Sequence, residues 1–175
     1  MRRVVVSLMS GFALFGLLGL AGARVNTTAS FPVGLYWQLH RSAGKGDLVL
    51  FCPPRERVFT TALARGYLSL GFCPVGTSAL IKRVVAVDDD HVVIAQRGTT
   101  VNGVAVPHSR QRAVDSAGRP LPLLRLDTIL SQGQVLLLSD QHAASFDGRY
   151  FGLVAATHLR GVVVPVWVFG REAAR

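Results

Sequence analysis

Lysine is scarce in this chain of 175 residues. It occurs only at Lys45 and Lys82, so nearly all of the 19 basic residues are arginines, and the formal net charge is +9. Such an excess suits nucleic acid or an anionic membrane surface, or it reflects only a bias in codon usage. The arginines between Arg97 and Arg125 are not interleaved with aromatic residues, as a platform for stacked bases would require. We therefore expect no nucleic-acid partner.

Cysteine is equally sparse. Cys52 and Cys73 are the only two, in the settings FCPP and FCPV, and neither belongs to a Cys-x-x-Cys pair or has a histidine at ligand spacing. The sequence therefore predicts neither a metal site nor a cofactor. In an oxidising compartment, a disulfide closing this loop of roughly twenty residues contributes about 3 kcal/mol. We expect that disulfide, and two buried free thiols are the alternative.

The chain has one long run without charged residues, at 4–23. About twenty apolar residues are enough for a helix to cross a hydrocarbon core of about 30 Å. Arg2 and Arg3 precede the run and only Arg24 follows it closely. Because positive charge is retained on the cytoplasmic side, we expect the remaining chain to lie outside the cytoplasm.

This reading divides the chain into two parts. Residues 1–24 form an N-terminal membrane anchor or signal segment, and residues 25–175 form one periplasmic domain. The tripeptide Ala-Gly-Ala at 21–23 also fits the cleavage site of a removable signal peptide, whereas the length of the run favours a retained anchor. The sequence shows no internal repeat or low-complexity segment.

Outside the apolar run, most of the pattern predicts short strands. β-Branched and apolar runs bounded by turn residues occur at 48–51, 79–87, 92–95, 135–138 and 162–169. The Val-Asn-Gly-Val segment at 101–104 predicts a hairpin with a two-residue turn. The spacing of Val58 and Leu63 predicts one soluble helix over 55–66, and residues 107–122 are typical of a long exposed loop. We therefore expect a mainly β fold.

Lys82 is the first candidate for chemistry. Strand alternation in ALIKRVVAV places it on the same face as Leu80 and Val84, and desolvation beside such neighbours lowers the pKa of a lysine. To act as a base near neutrality, its pKa must fall by roughly three units from about 10.4, which corresponds to about 4 kcal/mol. Arg83 cannot lose a proton in this range. The alternative is an edge-strand lysine whose ammonium group reaches solvent.

Ser30 is the second candidate. It lies in NTTASFPVGLYW, residues 26–37, shortly after the predicted membrane exit. By their chemistry Thr27 and Thr28 are equally plausible hydroxyl groups. The alternative is a juxtamembrane linker that places the rings of Tyr36 and Trp37 at headgroup level.

The third candidate is the stretch SDQHAASFDGRYFG, residues 139–152, which follows an apolar strand. Ser145, Asp147 and Arg149 combine a hydroxyl, a carboxylate and a guanidinium, as a network that orients a catalytic group would. A turn held by an Asp–Arg pair explains the pattern equally well. His142 would complete a Ser-His-Asp arrangement, although no other feature singles it out.

The order of these segments resembles the type I signal peptidase superfamily, and most closely its conjugal-transfer branch. The matching pieces are GDLVLF (46–51), IKRVVAV (81–87) and SFDGRYFG (145–152), with RVNTTASFPVGLYW (24–37) typical of the conjugative branch. The resemblance implies a signal-peptidase-like β domain behind one N-terminal transmembrane helix. It also implies that Ser30 is the nucleophile, Lys82 the general base and Asp147 the acidic residue of the last motif. We expect Asp147 to support the site without being the base, since its carboxylate is already ionised at neutral pH.

The implied activity is that of a serine endopeptidase of the bacterial inner membrane, with a catalytic domain facing the periplasm. Its substrate would be a pilin precursor or another exported protein, and conjugative members mature the pilin and in known cases join its ends into a circle. Phe31 and Pro32 directly follow Ser30, whereas general signal peptidases usually carry Met there and Pro two places further on. Residues 139–141, Ser-Asp-Gln, replace the usual Gly, Asp and Asn. These differences favour the conjugative branch.

The sequence is also consistent with two other functions. A general type I signal peptidase that removes leaders from many exported proteins would share the dyad and the fold. A non-catalytic envelope module would instead use its β domain and basic surface to hold a secretion channel or anionic lipid. In that case Ser30 and Lys82 would be freely replaceable.

Overall fold

The computed structural model describes residues 16–17 and 19–169. Most of the predicted membrane segment, 4–23, lies outside these residues. Within the described ranges, no helix is long and apolar enough to span a membrane. The anchor or signal segment at 1–24 therefore stays a prediction.

Eleven strands form in the described part of the chain. In chain order they are β1 (Ala23–Asn26), β2 (Val33–Leu39), β3 (Leu48–Phe51), β4 (Leu80–Ala86), β5 (His91–Ala95), β6 (Gly98–Val101), β7 (Val104–Ala105), β8 (Leu126–Ile129), β9 (Gln134–Leu138), β10 (Leu153–Ala155) and β11 (Leu159–Phe169). The five predicted strands are all present within a few residues of their expected bounds. The expected mainly β fold is confirmed.

The strands form two antiparallel sheets. The larger has the order β1-β2-β11-β3-β4-β9-β10 and the smaller the order β7-β6-β5-β8. The predicted two-residue hairpin joins β6 to β7, where Asn102 and Gly103 have φ of 50° and 79°. Positive φ at both central residues is what a type I′ turn requires.

Two short helices pack against the larger sheet. Helix α1 (Arg57–Ala64) is the predicted helix, two residues shorter at each end, and it buries Phe59 and Ala62. Helix α2 (Gly148–Phe151) was not expected, because a single turn is too short to show helical periodicity. A 3₁₀ turn at Ala156–His158 follows it.

The segment after the predicted membrane exit is sheet and not a linker. Strands β1 and β2 pair from Ala23 to Trp37, and β2 also pairs with β11. The ring of Tyr36 is only 1% exposed, and its hydroxyl donates to the Pro32 carbonyl at 2.7 Å. The interpretation of Tyr36 as a headgroup-level anchor is therefore wrong, since its ring is part of the core.

Strand β4 separates two apolar clusters, as its alternation predicted. Leu80 and Val84 face a core that includes α1, whereas Ile81 packs on the opposite side. The pairing of β4 with β9 then shifts register between Val84 and Ala86. Because of this bulge, Val85 and Ala86 both join the core of the smaller sheet, and the predicted alternation ends there.

The loop at 107–122 contains no named strand or helix, but it is less exposed than predicted. Gln111 and Asp115 are buried. The carboxylate of Asp115 accepts hydrogen bonds from the Tyr67 hydroxyl and from Arg119, at 2.6 Å each. These bonds, that of Tyr67 first, hold the pKa of Asp115 far below its usual range. The ionised Asp115 carboxylate therefore fixes the loop against Tyr67.

The predicted disulfide between Cys52 and Cys73 is confirmed, with a Cα–Cα distance of 5.4 Å. It closes the segment that contains α1. The ring of Phe59 on this helix lies 5.8 Å from that of Phe51 and 5.1 Å from that of Phe151. The disulfide segment is thereby packed against α2, which lies near the end of the third candidate stretch, 139–152.

Candidate active site

Ser30 and Lys82 meet although 52 positions separate them in the chain. Ser30 lies in the turn between β1 and β2, and Lys82 lies in the middle of β4. The Lys82 Nζ is 2.8 Å from the Ser30 Oγ. As an ammonium group, Lys82 donates to this hydroxyl, and as a neutral amine it can accept the hydroxyl proton.

Lys82 is buried, contrary to the alternative of an edge-strand lysine. Strand β4 lies between β3 and β9, and Lys82 is only 2% exposed. Burial lowers its pKa to about 8, against an opposing effect of the Asp147 charge and a further lowering by Arg149. A substantial fraction of Lys82 is thus neutral in mildly alkaline solution, as a general base requires.

A second hydroxyl completes a triangle around this amine. The Ser145 Oγ lies 2.9 Å from the Lys82 Nζ and 3.1 Å from the Ser30 Oγ, and Ser145 is buried. The sequence pattern predicted Ser145 as part of a network with Asp147 and Arg149, but it did not predict the contact of Ser145 with Lys82. Its position two residues before Asp147 in Ser-Phe-Asp-Gly-Arg was the only signal for it.

Asn26 holds the turn that carries Ser30. Its buried amide Nδ2 lies 3.0 Å from each of three carbonyl oxygens, those of Thr28, Phe31 and Pro32. Its Oδ1 accepts from the backbone N–H and the hydroxyl of Thr28. One side chain therefore binds the turn on both sides of Ser30. Sequence reasoning missed this residue, since an asparagine in a polar segment gives no distinct signal.

Asp147 forms a buried ion pair with Arg149 and does not contact Ser30 or Lys82 directly. Its Oδ1 accepts from the Arg149 Nε at 2.7 Å, and its Oδ2 accepts from the Arg149 Nη2 at 2.8 Å. Both side chains are fully buried. Oδ2 also accepts from the Ser139 N–H at 2.9 Å, and the Ser139 Oγ donates to the Ser30 carbonyl at 2.5 Å. Asp147 is thus linked to the Ser30 backbone through Ser139.

Arg149 uses its remaining donors on backbone carbonyls. It donates to those of His108 (2.6 Å), Ala143 (2.9 Å) and Ser145 (3.0 Å). These bonds tie the 107–122 loop to the loop after β9. The Asp147–Arg149 pair is therefore more than a turn, because it fixes the backbone that presents Ser145.

His142 does not complete a Ser-His-Asp arrangement. Among the described residues, the hydrogen-bond partners of the Ser30 Oγ are Lys82 and Ser145. The backbone N–H of His142 donates to the Ser139 Oγ at 3.1 Å, which places it on the rim of the site.

A cleft of about 290 Å³ opens over the two serines. Thr28 and Ala29 line it beside Ser30, and Leu121 and Phe146 line it from other loops. Among the described residues, no group of three or more His, Cys, Asp or Glu side chains is placed to hold a metal ion. The arrangement at the base of the cleft suits proton transfer from a serine hydroxyl to a lysine amine, and so attack on a carbonyl carbon.

Comparison with known proteins defines the class. The signal peptidase family, peptidase S26, matches residues 5–168. The chain therefore belongs to that family of peptidases and has its mainly β, signal-peptidase-like fold. The resemblance predicted from the sequence motifs is confirmed.

Among individual proteins, the chain is 44% identical to a plasmid transfer protein TraF of Escherichia coli over 175 residues, which cover 95% of this chain and 98% of the relative. A second Escherichia coli plasmid transfer protein TraF is 46% identical over 166 residues, 94% of each chain. A conjugal transfer protein TraF of Agrobacterium fabrum is 39% identical over 163 residues, 92% of this chain and 90% of the relative. A crystal structure of a signal peptidase I from Enterococcus faecalis V583 is 18% identical, with a TM-score of 0.41, and covers 71% of this chain and 98% of that one.

Proposed function

We propose that the chain is a membrane-bound serine endopeptidase in which Ser30 is the nucleophile and Lys82 the general base. The observation that supports this most strongly is the 2.8 Å distance between the Lys82 Nζ and the Ser30 Oγ in a buried setting. A serine hydroxyl is a weak nucleophile until a neighbouring base takes its proton. Burial brings the pKa of Lys82 to about 8, within reach of this task.

In the proposed mechanism, the neutral Lys82 amine takes the Ser30 hydroxyl proton as Oγ attacks the substrate carbonyl. The resulting ammonium group then gives that proton to the nitrogen of the leaving peptide, and an acyl-enzyme ester remains. A second nucleophile, deprotonated by the same amine, attacks the ester and releases Ser30. Water gives a hydrolysed product, and the amino terminus of the same substrate gives a circle.

The negative oxygen of the tetrahedral intermediate needs preorganised donors. The backbone N–H of Ser30 makes no hydrogen bond within the described residues, so it is available as one donor. We propose the Thr28 hydroxyl as the second. It lines the same cleft, and it reaches the oxygen by turning away from its present acceptor, the Asn26 Oδ1.

For the substrate we propose a conjugative pilin precursor, cut on the periplasmic face of the bacterial inner membrane. The support is the similarity over nearly the whole chain to relatives named as plasmid and conjugal transfer proteins. The membrane placement rests on the apolar run at 4–23 and the arginines before it. A general signal peptidase would instead cut many unrelated precursors.

The test is co-expression of the chain with a candidate pilin precursor, followed by intact-mass measurement of the product. We expect a trimmed product with the wild-type chain and with the control Ser131→Ala, and unprocessed precursor with Ser30→Ala. A product lighter than the trimmed linear peptide by one water is circular. Processing by Ser30→Ala would contradict the assignment of the nucleophile, and equal cleavage of unrelated exported precursors would favour a general signal peptidase.

A further inference from the structure

Two of the most exposed large apolar side chains of the described residues lie close together, away from the active-site cleft. Phe72 has an exposure of 108% and Leu70 one of 82%. They flank Gly71 in the segment between α1 and β4. Side chains of this size are normally buried, and their full exposure in a folded protein indicates a contact surface.

Their exposure is imposed by an ordered hairpin, residues 69–78. The Ser78 N–H donates to the Ser69 carbonyl at 2.8 Å, and the Cys73 N–H donates to the Thr77 carbonyl at 2.8 Å. The disulfide ties Cys73 to Cys52 at the end of β3. The backbone of Gly71 packs so closely on that of Ser78 that an added Cβ would lie 2.5 Å from it. Leu70 and Phe72 are therefore held outward by the fold.

The hairpin lies where the chain leaves the predicted membrane segment. Leu70 and Phe72 line a hollow of about 670 Å³ together with Arg24 and Arg160. Arg24 is the first charged residue after the apolar run at 4–23. Apolar side chains surrounded by guanidinium groups match the boundary between acyl chains and phosphate headgroups.

We propose that the 69–78 hairpin inserts Leu70 and Phe72 into the surface of an anionic phospholipid bilayer, as a second membrane contact beside the segment at 4–23. This inference rests on the membrane attachment in the proposed function. Arg24 and Arg160 would contact lipid phosphates at the rim of the inserted hairpin. With two contacts the domain cannot rotate freely about its anchor, so the Ser30 cleft keeps a fixed height above the bilayer.

The test uses the full chain, reconstituted in vesicles of phosphatidylethanolamine and phosphatidylglycerol, with photoreactive benzoylphenylalanine in place of Phe72. The matched control carries the same group in place of Val104, which is 71% exposed at the end of the smaller sheet. After irradiation, lipid adducts are measured by mass spectrometry. We expect at least about fivefold more lipid adduct at position 72 than at position 104, because the bilayer surface covers only the first.

Equal lipid labelling at the two positions, or labelling of protein in place of lipid at position 72, would overturn the proposal. A chain that does not float with the vesicles would overturn it too, together with the predicted anchor. Precursor cleavage by each photoreactive variant is measured separately, against Ser30→Ala. An active enzyme without lipid adducts contradicts the hairpin contact alone, and an inactive enzyme with them contradicts the peptidase assignment alone.

Discussion

The Ser145 Oγ lies 2.9 Å from the Lys82 Nζ, although Ser145 is on a loop 63 positions further along the chain. Ser145 thus holds the amine from one side while the Ser30 hydroxyl lies 2.8 Å from it on another. A lysine side chain has four rotatable carbon bonds, and a bond at its tip limits where the amine points. Ser145 is therefore placed to position the Lys82 amine.

Replacing Ser145 by Ala should lower kcat by about 10- to 100-fold with little change in KM, the loss expected for one hydrogen bond to a charged or catalytic group. In the wild type, kcat/KM should rise with pH up to about 8, because only the neutral form of Lys82 accepts a proton. The measurement is a pH profile of both enzymes, with Ser131→Ala as the control. If the Ser145→Ala variant has the kcat of the wild type, Ser145 does not contribute to catalysis.

Asn26→Asp tests whether activity requires the hydrogen bonds that Asn26 donates to the turn that carries Ser30. The change keeps the shape of the side chain but replaces three N–H···O contacts by a carboxylate facing the same carbonyls. We expect kcat to fall by about 10- to 100-fold, since about 1–3 kcal/mol of hydrogen bonding is lost. Steady-state kinetics check this, and Asn102→Gly in the distant hairpin should keep full activity. Unchanged kcat in a folded Asn26→Asp enzyme would show that the clamp is dispensable.

Asp147→Asn should mainly lower the free energy of unfolding. The sequence suggested only a supporting role for Asp147 at the site, but Asp147 is also the fully buried partner of Arg149. Removing one member of a buried ion pair costs about 3–5 kcal/mol, because the other charge is left without compensation. Urea unfolding should show this loss. The partly exposed pair of Asp140 with Arg83, whose side chains are 24% and 27% exposed, provides the control, and Asp140→Asn should cost about 1 kcal/mol or less. Equal losses would contradict the role given to Asp147.

Strand positions could be predicted where side-chain pattern alone decides them. The run at 48–51 is apolar and bounded by turn residues, and β3 has the same bounds. Strands β1 and β2 were missed because their polar and aromatic residues also suit a linker at a membrane surface. Strand β2 pairs with β11, more than a hundred residues away, and β1 forms by pairing with β2. Long-range pairing of this kind leaves no local pattern.

In the candidate site, too, local sequence motifs could be predicted and long-range contacts could not. Ser30 and Lys82 were identified from motifs whose order resembles a known family, and the structure brings them together. The contact of Ser145 with Lys82 and the clamp of Asn26 depend on how two loops meet, which spacing along the chain does not reveal. The burial of Asp147 with Arg149 was equally hidden, since an Asp-Gly-Arg sequence also suits an exposed turn.

Lys82→Met should stabilise the protein near neutral pH. Because burial lowers the pKa of Lys82 to about 8 from a usual 10.5, the unfolded chain binds more protons between these values. The free energy of unfolding therefore rises with pH between about 8 and 10.5. Below pH 8, the buried ammonium group lowers the free energy of unfolding of the wild type by about 3 kcal/mol. We expect Lys82→Met to gain about 1–3 kcal/mol at pH 7 and less at pH 10, by urea unfolding. As a control, Lys45→Met should change the free energy of unfolding little, because Lys45 forms a partly exposed pair with Asp90. A Lys82→Met protein less stable than the wild type at pH 7 would contradict the account.

Lys82→Arg tests the central claim most directly, because arginine keeps the positive charge but does not release its proton in the working pH range. The chain offers a matched control in its only other lysine, Lys45. The measurement is cleavage of a pilin precursor by the two variants side by side, with thermal unfolding to show that both are folded. The account predicts that Lys45→Arg cleaves like the wild type and that Lys82→Arg cleaves no more than Ser30→Ala. A folded Lys82→Arg enzyme with substantial activity would contradict the proposal that Lys82 is the base.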